Sequence, residues 1–333
     1  MDFEYVYNTI KSIIDPVYLV GGSVRDLILN KEPKDYDFCT SLLPDEIEKA
    51  IQATGKKAYN IGKRFGTIGM TINGQMIEIT TFRTEEYSEG NRKPNVEFVQ
   101  DITADLSRRD FRINAIAYRD GRYIDPFGGR LDIIEKSIKC VGEPKARFKE
   151  DPLRMLRAAR FTSQLEFSVD DFLTNTAMKM SHKILEVSKE RWVMELDKLL
   201  MTNHPEFGLE FLAKTKLLHF MFPELAIQVG YNQNSPFHSM ELWEHTKATV
   251  SYSSLDINIR WAALLHDIGK PFVRGEKPGR SNYIKHDLLG AEIVDKYATY
   301  LKWSNERRAK VAELVLTHLL TNSPLYEADK KAH

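Results

Sequence analysis

The sequence predicts an α/β head with a small mixed or antiparallel sheet, followed by an all-α remainder. Three observations predict it. The first third carries short apolar runs of strand length, with Asn73-Gly74 between two of them as a strong hairpin signal. Beyond residue 145 apolar positions recur at helical spacing almost to the end, and no convincing strand is visible. The chain has 333 residues, 42% of them hydrophobic, which is too long for one ordinary core and apolar enough to fill two or more.

Taken in order, residues 1–16 read as a short helix leading into a strand at Val17–Val20. Ser23 is the expected N-cap of a helix over 24–30. A strand follows at 36–40, and Pro44 opens a helix to about Ala53. Strands are expected at 58–61, 66–72 and 75–82, the last carrying Glu78. Residues 83–95, rich in Glu, Arg, Ser and Gly, read as a mobile loop. From about Ser107 the chain turns helical, apart from a turn near residues 125–129. This gives three parts: a head over 1–140, a helical neck over 141–200 and a helical body over 201–333.

Composition narrows the function classes. Lys plus Arg and Asp plus Glu both number 47, so a polyanion site must come from local clustering. No apolar run is long enough to span a bilayer, and residues 1–15 lack the order of a secretory signal. Cys39 and Cys140 are the only cysteines, as expected of reduced thiols in the cytoplasm.

The chemistry concentrates first at residues 20–40, VGGSVRDLILNKEPKDYDFCT. Gly21 and Gly22 let backbone amides approach a phosphate, and Arg25 can neutralise it. On a strand over 36–40, a period of two puts Asp35 and Asp37 on one face. Adjacent carboxylates repel unless a cation sits between them, and hard oxygen ligands suit Mg²⁺. Glu78 can supply a third carboxylate. Residues 107–115, SRRDFRINA, crowd Arg108, Arg109 and Arg112 around Asp110 on a helix, an arrangement that favours an anion among them. Together these groups fit metal-assisted nucleotidyl transfer; a salt-bridged surface helix is the plainer reading of the arginines.

Residues 147–161 read RFKEDPLRMLRAARF. Asp151 and Arg154 are i, i+3 neighbours on a helix, with Arg157 and Arg160 continuing the ridge. An ordinary helical ion pair explains them, and so does a protein-made template. A carboxylate accepts from an exocyclic amine while a guanidinium donates to a ring nitrogen, an order that cytosine and adenine match and guanine and uracil reverse.

With these motifs quoted, the chain resembles the bacterial class II CCA-adding tRNA nucleotidyltransferases and their poly(A) polymerase relatives, in the polymerase-β-like nucleotidyltransferase superfamily. VGGSVRD with DYD, RRDFRINA, EDPLRMLRAARF and ERWVMEL at 190–196 stand in the family order. The resemblance implies that Asp35 and Asp37 hold catalytic Mg²⁺, with Glu78 as a further catalytic carboxylate. It implies that Gly22, Arg25 and Arg109 touch the phosphates and that Asp110 meets the ribose 2′-OH. Asp151 and Arg154 would read the base, with Arg157 and Arg160 nearby. The implied reaction adds C, C and A from CTP and ATP to the 3′ end of tRNA and releases pyrophosphate. Relatives restricted to CC addition look as if they lack the segment that 83–95 supplies here, which favours an enzyme able to add the terminal A. An A-adding enzyme and a poly(A) polymerase are the alternatives.

The helical remainder holds a second constellation: His245, then His266-Asp267, then His286, with His318 and Asp329 as further candidates. It resembles the HD phosphohydrolase superfamily, over about 238–333, and implies a transition metal such as Mn²⁺, Ni²⁺, Fe or Zn²⁺. Buried packing is the plainer reading, and a phosphohydrolase whose head only binds nucleotide is the functional rival. His182, His204 and His219 read as structural, and Trp192 and Trp303 as core. Lys302, Arg307, Arg308 and Lys310 form a small basic patch that could meet tRNA phosphates. Many relatives look longer at the C-terminus, which leaves open how this chain grips tRNA.

Overall fold

The computed structural model describes residues 2–87, 95–234 and 240–332. The chain divides into two compact units, Met1–Asp151 and Pro152–His333.

The first unit is built on a seven-stranded mixed sheet. Its strands are β1 (Val17–Val20), β2 (Asp37–Thr40), β3 (Ala58–Gly62), β4 (Thr67–Ile72), β5 (Gln75–Thr81), β8 (Ala117–Arg119) and β9 (Arg122–Ile124), in the order β3-β4-β5-β2-β1-β8-β9. Neighbours are antiparallel except β2 and β5, which run parallel. A second ribbon pairs β6 (Arg83–Glu86) with β7 (Asn95–Phe98). Helices α1 (Phe3–Ile13), α2 (Gly22–Ile28), α3 (Pro44–Ala53), α4 (Ile102–Ser107), α5 (Gly129–Ile134) and α6 (Pro144–Glu150) complete the unit. Asn73-Gly74 makes the β4–β5 turn, both residues at positive φ (48° and 82°), the conformation that Asn-Gly adopts at least cost in a tight hairpin. Val20, Cys39, Phe82, Leu106, Ala115, Ala117 and Val141 form one buried cluster under the sheet. Both cysteines are buried, and neither forms a disulfide.

The second unit is helical: α7 (Leu153–Leu165), α8 (Asp171–Met180), α9 (Lys189–Leu200), α10 (Pro205–Lys214), α11 (Leu217–Met221), α12 (Pro223–Ala226), α13 (Leu242–Tyr252), α14 (Ile257–Leu265), α15 (His286–Tyr300), α16 (Asn305–Leu316) and α17 (Tyr326–Lys331). Helix α7 packs against α9 and α10, and α14 and α15 against α16. Trp192 is fully buried and donates to the Ile184 carbonyl at 3.1 Å. Trp261 packs edge-on against Trp303 at 4.9 Å. Among the described residues no helix is long and apolar enough to cross a membrane.

Several expectations are corrected. Ser23 does not cap α2, because Gly21 holds that position; its hydroxyl turns to the chain around Asp35 instead. Strand β2 begins at Asp37, so Asp35 lies before it rather than on it. Residues 107–115 are not a helix: α4 ends at Ser107, and after an extended Phe111 only Arg112–Asn114 makes a 3₁₀ turn, before the β8–β9 hairpin. The expected loop at 83–95 has strands at its two ends, while residues 88–94 lie outside the described region. A short hairpin, Gly275–Lys277 with Arg280–Asn282, interrupts the helical unit. The helix expected through residue 151 breaks there. Asp151 is extended (φ −149°, ψ 102°) because the ring of Pro152 disfavours a helical residue before it, and α7 starts at Leu153. Asp151 and Arg154 therefore do not share a helical face.

Candidate active site

The catalytic candidates of the first unit gather at the start of β2. Asp37 is in register with Val20 of β1 on one side and with Glu78 of β5 on the other, so its carboxylate and that of Glu78 stand side by side. Ser23 fixes the approach to the strand: its hydroxyl donates to the Asp35 carbonyl at 2.9 Å and accepts from the Asp37 amide at 3.3 Å. The electrostatics are those of crowded acids. Burial and the neighbouring Asp35 raise the Asp37 pKa against the pull of Arg109. Burial, then Asp37 and Asp35, raise that of Glu78. Like charges held this close favour a cation or a shared proton.

Gly21 joins this group to an arginine. With φ +73° it takes a backbone conformation that residues with a side chain rarely adopt, and a Cβ there would stand 3.1 Å from Arg109 Nη1 and 3.8 Å from Asp37 Oδ2. The Arg109 guanidinium reaches Asp105 Oδ2 at 3.3 Å, and although burial works against it, Asp105 and Asp37 hold its pKa up. Arg25 is buried and used internally, donating to Asp26 at 2.7 and 3.0 Å and to the Asn114 amide oxygen at 2.9 Å. Gly22 lies over its own Arg25, whose Nη2 would be 3.4 Å from an added Cβ. Asp110 is buried, with Oδ1 accepting the Phe111 amide at 2.8 Å. Arg112 points elsewhere and donates to the Cys140 carbonyl at 3.0 Å.

Sequence reasoning missed Asp105. It is fully buried and accepts from Arg108 at 2.9 and 3.0 Å, from Arg109 at 3.3 Å and from the Arg83 amide at 3.1 Å. Burial raises its pKa, but Arg108 and Arg109 prevail and hold it below the usual carboxylate value. Glu85 adds 2.8 Å bonds from Arg83 and Arg108, so the foot of the β6–β7 ribbon is tied to the residues that orient Arg109. The i, i+3 and i, i+4 spacing of Asp105 to Arg108 and Arg109 was the available signal.

In the second unit Arg154 is buried near the start of α7. Arg160 is clamped by Glu195 of α9 at 2.6 Å and by Gln164 at 2.8 Å, and it stacks on Phe161. Arg157 stands 3.8 Å from the same buried Glu195. The basic patch is neutralised, since Lys302 pairs with Glu190, Arg307 with Asp197, Arg308 with Asp295 and Lys310 with Glu313. His245, His266 and Asp267 do come together: His245 Nε2 lies 3.1 Å from His266 Nε2 and 3.4 Å from Asp267 Oδ2, and Asp329 joins at 2.9 Å from His245.

Three regions match known families: the poly A polymerase head domain over residues 17–139, a probable RNA- and SrmB-binding site of polymerase A over 167–228, and an HD domain over 237–331. A CCA-adding enzyme of Geobacillus sp. (strain WCH70) is 44% identical over 297 residues, covering 87% of this chain and 69% of that protein. One of Bacillus pumilus (strain SAFR-032) is 37% identical over 302 residues, covering 90% and 71%. Across such relatives the chain spans between 60% and 71% of their length. Among solved structures, the Bacillus stearothermophilus CCA-adding enzyme in complex with CTP aligns with a TM-score of 0.67 and 28% identity, over 100% of this chain and 82% of that one. The fold is also shared with a Thermotoga maritima CCA-adding enzyme complexed with tRNA (TM-score 0.59, 20% identity, 99% and 82% covered).

Proposed function

The chain belongs to the family of CCA-adding enzymes, and from that premise we propose that it adds C, C and A to the 3′ end of tRNA, using CTP and ATP and releasing pyrophosphate. It is a nucleotidyltransferase. The observation that carries the reading is the convergence of Asp37 and Arg109 on Gly21, with Glu78 beside Asp37 across β2 and β5. A triphosphate needs both charges: a cation held by acids, and a guanidinium that faces oxygen atoms.

Asp35 and Asp37 are the residues that would hold Mg²⁺. Their donor set fits the ion, being hard oxygen ligands, and burial with the neighbouring Asp35 already raises the Asp37 pKa. When bound, the ion supplies Lewis acidity to the attacking 3′-hydroxyl and neutralises phosphate charge. The protein's own groups do the rest. Glu78 keeps the local field negative beside Asp37, which favours cation capture. Arg109, steadied by Asp105, offers donors to phosphate oxygens at the bare backbone of Gly21. Arg25, packed on Asn114 and Asp26, stiffens the Gly21-Gly22 turn, and Asp110 is proposed to accept from the ribose. Asp151 and Arg154 are proposed to present the acceptor and donor that cytosine and adenine share. Arg157 and Arg160 then support the reading helix through Glu195, with no direct part in base choice. The division into head (1–140), neck (141–200) and body (201–333) is kept as the functional plan, with the cytoplasm as the site of action.

Incorporation assays test the reading. Asp37→Ala removes nucleotide addition, and His266→Ala leaves it in place. The reverse pattern gives the activity to the helical unit, as in an HD-type phosphohydrolase with a nucleotide-binding head.

A further inference from the structure

Three guanidiniums and two carboxylates interlock at the foot of the β6–β7 ribbon, and the bonds among them are unequally shared. Glu85 Oε1 accepts from Arg83 Nε at 3.1 Å and Nη2 at 2.8 Å, and from Arg108 Nη1 at 2.8 Å. Its Oε2 takes the Tyr87 hydroxyl at 2.8 Å. Asp105 Oδ1 accepts from Arg108 Nε at 3.0 Å and Nη2 at 2.9 Å, and from the Arg83 amide at 3.1 Å. That leaves Oδ2 for Arg109 Nη2, at 3.3 Å, the longest bond of the set. Arg109 Nε is buried with no hydrogen-bond partner among the described residues. Arg108 is thus clamped by two acids, whereas Arg109 is held by one long bond beside the bare backbone of Gly21.

Glu85 therefore decides how much of Asp105 is left for Arg109. While Glu85 is ionised, it satisfies one edge of Arg108, and the other edge takes Oδ1 alone. Without that charge, Arg108 has a single buried acid to balance it and competes with Arg109 for both Asp105 oxygens. Glu85 is ionised in the fold: burial raises its pKa, but Arg108, Tyr87 and Arg83 prevail and hold it below the usual carboxylate value. The ribbon that carries it is fastened to the chain entering β4. The Arg83 guanidinium also donates to the Phe65 carbonyl, and the Phe98 ring of β7 lies where a Cβ on Gly66 would approach it to 2.9 Å.

We propose that Glu85 is a positioning residue for the phosphate grip: by holding Arg108 it reserves Asp105 Oδ2 for Arg109, and so aims the guanidinium that meets the triphosphate of CTP and ATP alike. The proposal rests on Arg109 facing phosphate in the function proposed above. The sign of the effect separates positioning from simple charge. A carboxylate near an anion site repels the anion, so deleting it strengthens binding if charge alone matters. Deleting a carboxylate that aims the arginine weakens binding instead.

Inorganic pyrophosphate is the probe, titrated by calorimetry into the full chain in Mg²⁺ buffer, with KM for CTP and ATP measured alongside. Glu85→Gln is expected to weaken pyrophosphate binding by about tenfold and to raise both KM values to the same extent. A stoichiometry unchanged from the parent chain assigns the weakening to folded molecules. Tyr87→Phe, which removes only the bond to Glu85 Oε2, is expected to weaken binding by about twofold. Glu97→Gln, at an exposed acid opposite Thr84 on the same ribbon, keeps the parent affinity. In the Arg109→Lys background Glu85→Gln adds less than about twofold to KM for CTP, because both changes act through one guanidinium. Unchanged or tighter pyrophosphate binding in Glu85→Gln overturns the proposal; where that variant does not fold, parent-like binding in Tyr87→Phe does so. Additive losses with Arg109→Lys, equal weakening in Glu97→Gln, or a KM raised for one nucleotide alone also overturn it. A parent chain that neither binds pyrophosphate nor adds nucleotide overturns the phosphate reading of Arg109 and this proposal together, whereas a normal parent with an unaffected Glu85→Gln overturns the proposal alone.

Discussion

Asp37 and Glu78 are register partners across the parallel pair of strands β2 and β5. Two acids so placed, with Asp35 next to them, weaken the fold in favour of the site. Both have folded-state pKa values raised above their unfolded ones, so the native state binds more protons and loses stability as pH rises from about 4 upward. Glu78→Gln is therefore expected to raise Tm at pH 7–8 in chelator while lowering nucleotide addition. Calorimetry with and without Mg²⁺ checks it: added Mg²⁺ stabilises the parent chain more than the variant. An equal response in both removes Glu78 from the site.

Asp105 acts in the opposite sense. Its folded pKa is depressed, so the stability it contributes is present above its unfolded pKa, near 4, and is lost as pH falls through the folded value. Asp105→Asn removes the fully buried counter-charge that Arg108 and Arg109 share, leaving Glu85 beside Arg108 and Asp37 beside Arg109, and is expected to cost about 3 kcal/mol. Urea titrations at pH 7 and in mild acid measure both effects, and the gap between parent and variant narrows toward acid.

Gly21 accepts a side chain only under strain. Gly21→Ala combines strain of about 1–2 kcal/mol at positive φ with a Cβ pressed on Arg109. The expected outcome is a folded protein with kcat/KM for both CTP and ATP lowered by about tenfold or more. Steady-state kinetics with each nucleotide decides it, because loss for one nucleotide alone would point to base reading instead.

Much of this was legible in the residues. The strand carrying Asp37, the hairpin at Asn73-Gly74 and the switch to helices all follow from local patterns. Three features were not. Pro152 should have placed Asp151 outside a helix, but the apolar periodicity after it masked the rule. Residues 107–115 look helical by charge spacing, yet Asp105 and the Cys140 carbonyl draw the arginines apart, and the helix gives way to an extended Phe111 and a 3₁₀ turn. Lys302, Arg307, Arg308 and Lys310 read as a patch because their acidic partners, Glu190, Asp197 and Asp295 among them, are distant in sequence. Tertiary pairing of charge is invisible to a local window.

Under the proposed reading Asp151 and Arg154 choose the base and Arg160 supports the helix. Arg154→Ala should therefore admit GTP or UTP, shrinking discrimination by about 10–100-fold, for the loss of a directed hydrogen-bond pair. Arg160→Ala should instead lower stability, since it strands the buried carboxylate of Glu195, and leave the choice of nucleotide unchanged. Single-nucleotide incorporation across the four triphosphates separates the two.

The most direct test of the account offers the full chain two tRNA substrates, one lacking CCA and one ending in CC, with each nucleoside triphosphate supplied alone and then in pairs. The account predicts C on the first, A on the second, complete CCA with CTP and ATP together, no G or U, and none of it in Asp37→Ala. Addition of A alone to the CC-ended tRNA contradicts full CCA synthesis, and incorporation that survives Asp37→Ala contradicts the site itself.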